Sequence, residues 1–359
     1  MLRFSIANQL INDTTFFFSA LLSGFLFCIF FSKSFKVFET STYEAVQKIH
    51  DSHVSRLGGL GIFISIGIYS CFMSNGLLFN LLFCALPMFI VALIEDVRHN
   101  IKPLIRMAAI LLSAVIFIIP LYQNNLMPLI EIPIIGSYLN GTWILAVLLI
   151  ISISGVVNGV NMIDGANGLS SFAILTILIS ISFIALNQSD YHILSASLIT
   201  IAVILGFILV NYPWGKIFLG DSGAYFLGFS VSILTIQLYA RNAELPFWGA
   251  ILILFYPVME VLFSFTRKAL VQRKTPFSPD TEHLHLKLFF MLKKSIKVNW
   301  VANSFVTPCL VLIWLVPPLL SIISFQNVVS IWIGVFLSSI IYMGIYFALP
   351  VNSMSKKGK

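Results

Sequence analysis

Apolar runs long enough to cross a lipid bilayer follow one another along almost the whole chain. Nothing else in the sequence restricts the fold as severely. A bilayer core about 30 Å thick takes about 20 helical residues to span. Runs near that length fall at residues 14–32, 57–74, 77–94, 104–120, 142–157, 169–186, 193–210, 223–239, 247–265, 301–324 and 330–349. They predict an all-α, polytopic integral membrane protein with about eleven transmembrane helices, organised as one multi-span domain over residues 1–359. Only 10% of the residues are charged and 58% are hydrophobic. A soluble domain carries about 25% charged residues, so a mostly water-facing fold is excluded. The first run lacks a basic leader and a small-x-small cleavage site, and reads as a membrane helix rather than a signal peptide.

Charge sets the expected orientation. With the N-terminus outside and loops alternating, all but Arg3 and Arg241 of the 21 lysines and arginines fall on one side. Basic loops stay in the cytoplasm, which places the C-terminus inside and assigns the net charge of +7 to loop bias rather than nucleic-acid binding. The acids share this side: Glu39, Glu44, Asp51, Glu95, Asp96, Asp164, Asp221, Asp280 and Glu282, against Asp13, Glu131, Asp190 and Glu244 outside. Insertion explains basic loops but not acids, asparagines and histidines gathered with them. An active-site face built from loops 33–56, 95–103, 158–168, 211–222 and 266–299 does. Outside, residues 128–141 alternate weakly and suggest a short hairpin. Inside, residues 282–297 mix apolar residues with lysines and suggest a helix lying on the membrane surface. Cys28, Cys71, Cys84 and Cys309 lie in apolar stretches without CxxC spacing and read as inert packing residues.

Polar constellations interrupt this inner side. Asn158, Asn161, Asp164 and Asn167 recur every third residue among Gly159, Gly165 and Gly168, a spacing that keeps them near one helix face. They form either interhelical glue or a site. Arg56 in Ser55-Arg-Leu-Gly-Gly is either a snorkelling cation or a phosphate ligand. The adjacent carboxylates Glu95 and Asp96 repel unless a cation or proton lies between them; Arg98, Lys102 and Arg106 follow. Asp221, between glycines in Leu219-Gly-Asp-Ser-Gly, is either a helix cap or a hard oxygen ligand. His283 and His285 can bind metal or phosphate, and Glu260 is a lone acid within an apolar run. Oxygen-rich donors without cysteine suit Mg²⁺ or Mn²⁺ rather than Zn²⁺, and metal with basic residues is the apparatus of phosphoryl transfer. A membrane-edge site suggests a lipid substrate.

On Arg56-Leu-Gly-Gly, Glu95-Asp96, Asn158-x-x-Asn161-x-x-Asp164-Gly, Phe218-Leu-Gly-Asp221-x-Gly and His283-x-His285, the chain resembles the polyprenyl-phosphate N-acetylhexosamine-1-phosphate transferases. It is most similar to the branch that initiates O-antigen and teichoic acid chains. The resemblance spans residues 54–288. It implies transfer of a sugar 1-phosphate from a UDP-N-acetylhexosamine to undecaprenyl phosphate at the cytoplasmic face of the bacterial inner membrane, releasing UMP. It implies Mg²⁺ at Asp221 and Asp164, with Mn²⁺ as a substitute. Asp96, Glu95 and Asp164 are the implied catalytic carboxylates. Asn158, Asn161, Arg56, Lys102, His283 and His285 are the implied substrate-binding residues. The chain departs from the family pattern in three places. Glu95 replaces the first of two aspartates, Asn167 stands where a second acid is usual, and Leu286 stands where a third histidine is frequent. A transporter of anionic lipid or nucleotide sugar, and an inactive paralogue, are the competing readings. Homodimerisation is left open.

Overall fold

The structure, a computed structural model, describes residues 2–34, 54–72, 76–131, 135–272 and 282–350. All regular elements among them are helical, with no strand. They are α1 (Leu2–Ser34), α2 (Gly58–Phe72), α3 (Leu77–Arg98), α4 (Pro103–Gln123), α5 (Ile135–Leu139), α6 (Trp143–Ile163), α7 (Leu169–Asn187), α8 (Tyr191–Asn211) and α9 (Gly220–Arg241). There follow α10 (Gly249–Ile253), α11 (Phe255–Thr266), a π-helical turn at Arg267–Gln272, α12 (Leu284–Ser295), α13 (Asn299–Cys309), α14 (Val311–Trp314), α15 (Val316–Ser324) and α16 (Val328–Ala348). The parts of the expected active-site loops at 35–53 and 273–281 lie outside the described residues.

In hydrocarbon the backbone must satisfy its own polar groups, which is why these apolar runs are helical. Among the described residues eight helices are long and apolar enough to cross a bilayer, and up to nine if the bent pair at 299–324 is one span. That pair bends by 46° at Leu310, two residues after Pro308, which removes an N–H from the helical ladder. The other two expected spans are helical but fall short. α2 has 15 residues. The 247–265 run is broken at Leu254 into α10 and α11, and Pro257 cannot donate to the Ile253 carbonyl.

α9 is the axis of the bundle. It packs against α2, α3, α6, α7 and α8, and 89% of its spanning window is buried although it is the least hydropathic of the eight. The two facts have one cause. Lipid provides no hydrophobic force between helices, so small residues that allow close packing earn the central position. Ser230, Ser232 and Thr235 donate their hydroxyls to carbonyls one turn back, so none of these three is left unsatisfied.

Two expectations are corrected. The suggested hairpin at 128–141 contains instead the short helix α5. The Asn140 amide pairs with both the N–H and the C=O of Ile130, at 2.8 and 3.1 Å, supplying what a second strand would have supplied. The helix expected to lie on the membrane surface is present as α12, but its first half, Leu284–Phe289, is buried. Leu284, Leu286, Leu288 and Phe289 join Tyr256, Ala302, Val306, Tyr342 and Tyr346 in a second apolar cluster, so protein rather than lipid covers that face.

Candidate active site at one end of the bundle

The start of α9 is built around a left-handed glycine. Gly220 has φ +75°, and a Cβ there would lie 2.2 Å from the Arg56 carbonyl and 2.6 Å from an Asp96 oxygen. Both Asp96 oxygens, at the end of α3, accept backbone N–H groups of α9: Asp221 N–H at 2.8 Å and Ser222 N–H at 2.8 Å. This is an N-terminal cap supplied from another helix. The segment before α2 pairs with the same turn. Phe218 N–H donates to the Ser55 carbonyl at 2.8 Å, Gly58 N–H to Phe218 at 3.0 Å, and Gly59 N–H to Leu219 at 2.9 Å.

These contacts aim two guanidinium groups at Asp221. Arg56 Nη2 reaches its Oδ1 at 3.0 Å and Arg106 Nη1 its Oδ2 at 2.8 Å. Arg56 Nε also lies 3.5 Å from Asp96, and Arg106 lies 3.8 Å from Glu95. Glu95 Oε2 accepts the Ile101 N–H at 2.7 Å, closing the turn between α3 and α4. Burial disfavours the Arg56 charge, but Asp221, Asp96, Asp164 and Glu95 together hold its proton more tightly than usual. Buried Nε of Arg106 has no hydrogen-bond partner among the described residues.

Asp164 closes α6, and Ser170 in the first turn of α7 donates to it. Burial pushes the Asp164 carboxyl up to about 7, against the lowering influence of Ser170 and Arg56. Asn158, on α6, donates to its own helix at the Ser154 carbonyl, 2.7 Å, with Met107 of α4 nearby. Asn161 is half-buried one turn further on, and Lys102 is exposed just before α4. In that segment it is Arg106 that reaches Asp221. Asn167 is buried and serves as a structural pin. Its N–H donates to Asn303 Oδ1, its Nδ2 donates to the Pro213 carbonyl and to Ser304, and its carbonyl accepts from Thr307.

The histidines reach the same place from α12. His283 Nδ1 lies 2.9 Å from Glu260 Oε1, and the His283 and His285 rings are parallel with centroids 5.9 Å apart. His285 packs so closely on Gly165 that a Cβ there would be 2.0 Å from its Nε2. Arg106, Ser170, Asn303, Ser304, Thr307 and Tyr342 are participants that the sequence reading did not single out as site residues. For α13 a signal existed: Asn303, Ser304 and Thr307 share one face of an apolar helix.

The donors suit a hard cation. Asp164 and Asp221 provide carboxylate oxygen close to Arg56, which feels both charges. No three His, Cys, Asp or Glu side chains form a metal cluster among the described residues. Mg²⁺ commonly takes one or two carboxylates and completes its shell with water and substrate phosphate; Asp164 and Asp221 are of the right chemistry, and a cation there would share Asp221 with Arg56 and Arg106.

The pattern described as glycosyl transferase family 4 matches residues 78–239. A protein named "Probable undecaprenyl-phosphate N-acetylglucosaminyl 1-phosphate transferase" of Bacillus subtilis (strain 168) is 32% identical over 248 residues, 67% of each chain. An undecaprenyl-phosphate alpha-N-acetylglucosaminyl 1-phosphate transferase of Thermotoga maritima is 31% identical over 239 residues, 67% of this chain and 69% of its own. A phospho-N-acetylmuramoyl-pentapeptide-transferase of Streptococcus agalactiae is 28% identical over 222 residues, 59% of this chain and 63% of its own. The family match contains Glu95, Asp96, Asn158, Asn161, Asp164 and Asp221; Arg56, His283 and His285 lie outside it.

Proposed function

Because the chain belongs to glycosyl transferase family 4, we propose that it transfers N-acetylhexosamine 1-phosphate from a UDP-sugar to undecaprenyl phosphate, the first step in building a bacterial surface polysaccharide. The observation that carries this reading is the gathering of Asp96 and Asp221 around Arg56, with Arg106 on Asp221, at one end of a membrane bundle, with Asp164 adding to the negative charge that Arg56 feels. A lipid phosphate reaches such a site from the bilayer and a nucleotide sugar from water.

The reaction joins two anions. An oxygen of the lipid phosphate attacks the phosphorus that bears the sugar, a new P–O bond forms, the bond to the uridylyl phosphate breaks, and UMP leaves. Such a transfer needs alignment and charge neutralisation more than a strong base. Arg56 and Arg106 supply the positive charge, and the unpartnered Arg106 Nε is a further donor for a phosphate oxygen. Mg²⁺, held by Asp164 and Asp221 and replaceable by Mn²⁺, would neutralise the diphosphate. Asp96, with both oxygens on the α9 backbone, acts by holding Asp221 in place. Glu95 holds the α3–α4 turn and adds charge beside Arg106. Asn158, Asn161 and Lys102 are assigned as further polar contacts for the phosphates. The His283–His285 pair contacts the nucleotide sugar. About eleven spans, an external N-terminus and a cytoplasmic site in the inner membrane complete the proposal.

The test is UMP release by purified protein in detergent, supplied with undecaprenyl phosphate, UDP-N-acetylhexosamine and Mg²⁺. Release is expected to stop with chelator and to be abolished in Asp221→Asn, with the size-exclusion profile unchanged. A fully active Asp221→Asn would sink the metal assignment, and turnover in the absence of any vesicle would set aside transport.

A further inference from the structure

Glu260 lies on α11 with 2% of its surface exposed, inside an apolar stretch that carries no other acid. A carboxylate there is expensive unless fully hydrogen-bonded. Its bonds tie α11 to the start of α12 and to α16. Oε1 faces His283 Nδ1 at 2.9 Å and accepts the Leu284 N–H at 3.4 Å, and Oε2 accepts the Tyr342 hydroxyl of α16 at 2.8 Å. Leu284 opens α12, so the same carboxylate caps the helix whose first turn carries His285. His285 lies parallel to His283 and packs on Gly165, the neighbour of Asp164. A set of contacts therefore leads from Glu260 through the two imidazoles to the Asp164–Gly165 turn.

We propose that Glu260 is a positioning residue which, with Tyr342, orients the His283–His285 pair against the Asp164–Gly165 turn and thereby sets affinity for the diphosphate of the nucleotide sugar. This rests on the transferase reading above. A His whose Nδ1–H donates to a carboxylate has a fixed ring orientation. Nε2 lies on the edge of the His283 ring turned away from Glu260, and with both ring nitrogens protonated its N–H would donate to an anionic oxygen. Glu260 itself touches no substrate, so its removal acts through the histidines.

Purified Glu260→Gln and Tyr342→Phe are to be assayed by UMP release, varying each substrate in turn, beside His283→Ala and the Glu260→Gln/His283→Ala double variant. Loss of the outer-shell partner of a metal-bound His costs about 10- to 100-fold in metal affinity or activity, and a His oriented on an anion is taken on the same scale. Glu260→Gln is expected to raise the KM for UDP-N-acetylhexosamine on that scale, with smaller changes in kcat and in the KM for undecaprenyl phosphate. Tyr342→Phe is expected to do the same more weakly, Glu260→Asp to recover part of the loss, and the double variant to be no worse than His283→Ala. Additive losses, an equal rise in both KM values, or unchanged kinetics would overturn the proposal. A readout that needs no turnover accompanies these. ¹⁵N spectra of histidine-labelled protein, assigned with His283→Asn, are expected to show His283 protonated at Nδ1 in the wild type and shifted in Glu260→Gln. Unshifted ring nitrogens overturn the positioning role whatever the activity. A wild type that releases no UMP fails the transferase reading instead, and the ring signals still decide whether Glu260 orients the pair.

Discussion

Asn167 donates from Nδ2 to the Pro213 carbonyl at 2.9 Å and holds Asn303 and Thr307 through its backbone. A carboxylate there has no proton to give Pro213 and would face that carbonyl with like partial charge. Asn167→Asp, although it restores the acid usual in the family pattern, is expected to lower stability by about 1–3 kcal/mol, the cost of an unsatisfied buried group. Thermal unfolding in detergent checks this, and an unchanged midpoint rejects it. Arg106→Ala is expected to slow UMP release by about 100-fold, the scale for losing one preorganised donor to developing charge, and to cost more than Lys102→Ala. At this scale the chemistry was readable and the pairing was not. The residue types announced carboxylates, amides and cations for phosphate. Nothing local told Arg106 from Lys102 or made Asp96 a cap for α9, because Asp221 lies 115 residues from Arg106 and 125 from Asp96.

Among the elements, the crossing of α2 and α9 decides whether the arginine clamp exists. A Cβ at Gly59 would lie 2.2 Å from the Gly223 nitrogen, so the two backbones touch three residues after Arg56. Gly59→Ala is expected to destabilise the protein by about 1–3 kcal/mol, as overpacking does, and to reduce UMP release by displacing Arg56 from Asp221. Gly67, further along α2 with nothing within 4 Å of a Cβ, is the matched control; Ala there is expected to be tolerated. Differential scanning fluorimetry together with the release assay separates the two sites. The helices themselves followed from apolar length. The turns did not, for two physical reasons. Asn140 replaced a strand by bonding both backbone groups of Ile130. The apolar face of α12 found α13 and α16 before it could find lipid.

For the whole molecule, the bias of basic residues predicts an external N-terminus and a cytoplasmic C-terminus. A C-terminal green fluorescent protein fusion is therefore expected to fluoresce and a C-terminal alkaline phosphatase fusion to be inactive; the reverse pattern would refute the orientation. A multi-pass, helical membrane protein was settled by composition and apolar run length, because a backbone in hydrocarbon has almost no alternative to the helix. Many of the polar residues of the candidate site stood out the same way, since so few interrupt the apolar runs, but Arg106, Asn303 and Tyr342 did not. Only the packed bundle decided that α9, the least hydropathic span, takes the centre, that both arginines meet on Asp221, and that Glu260 faces the histidines. Those outcomes depend on which small residues let two backbones approach and on contacts between residues far apart in the chain, and neither leaves a periodic trace in the sequence.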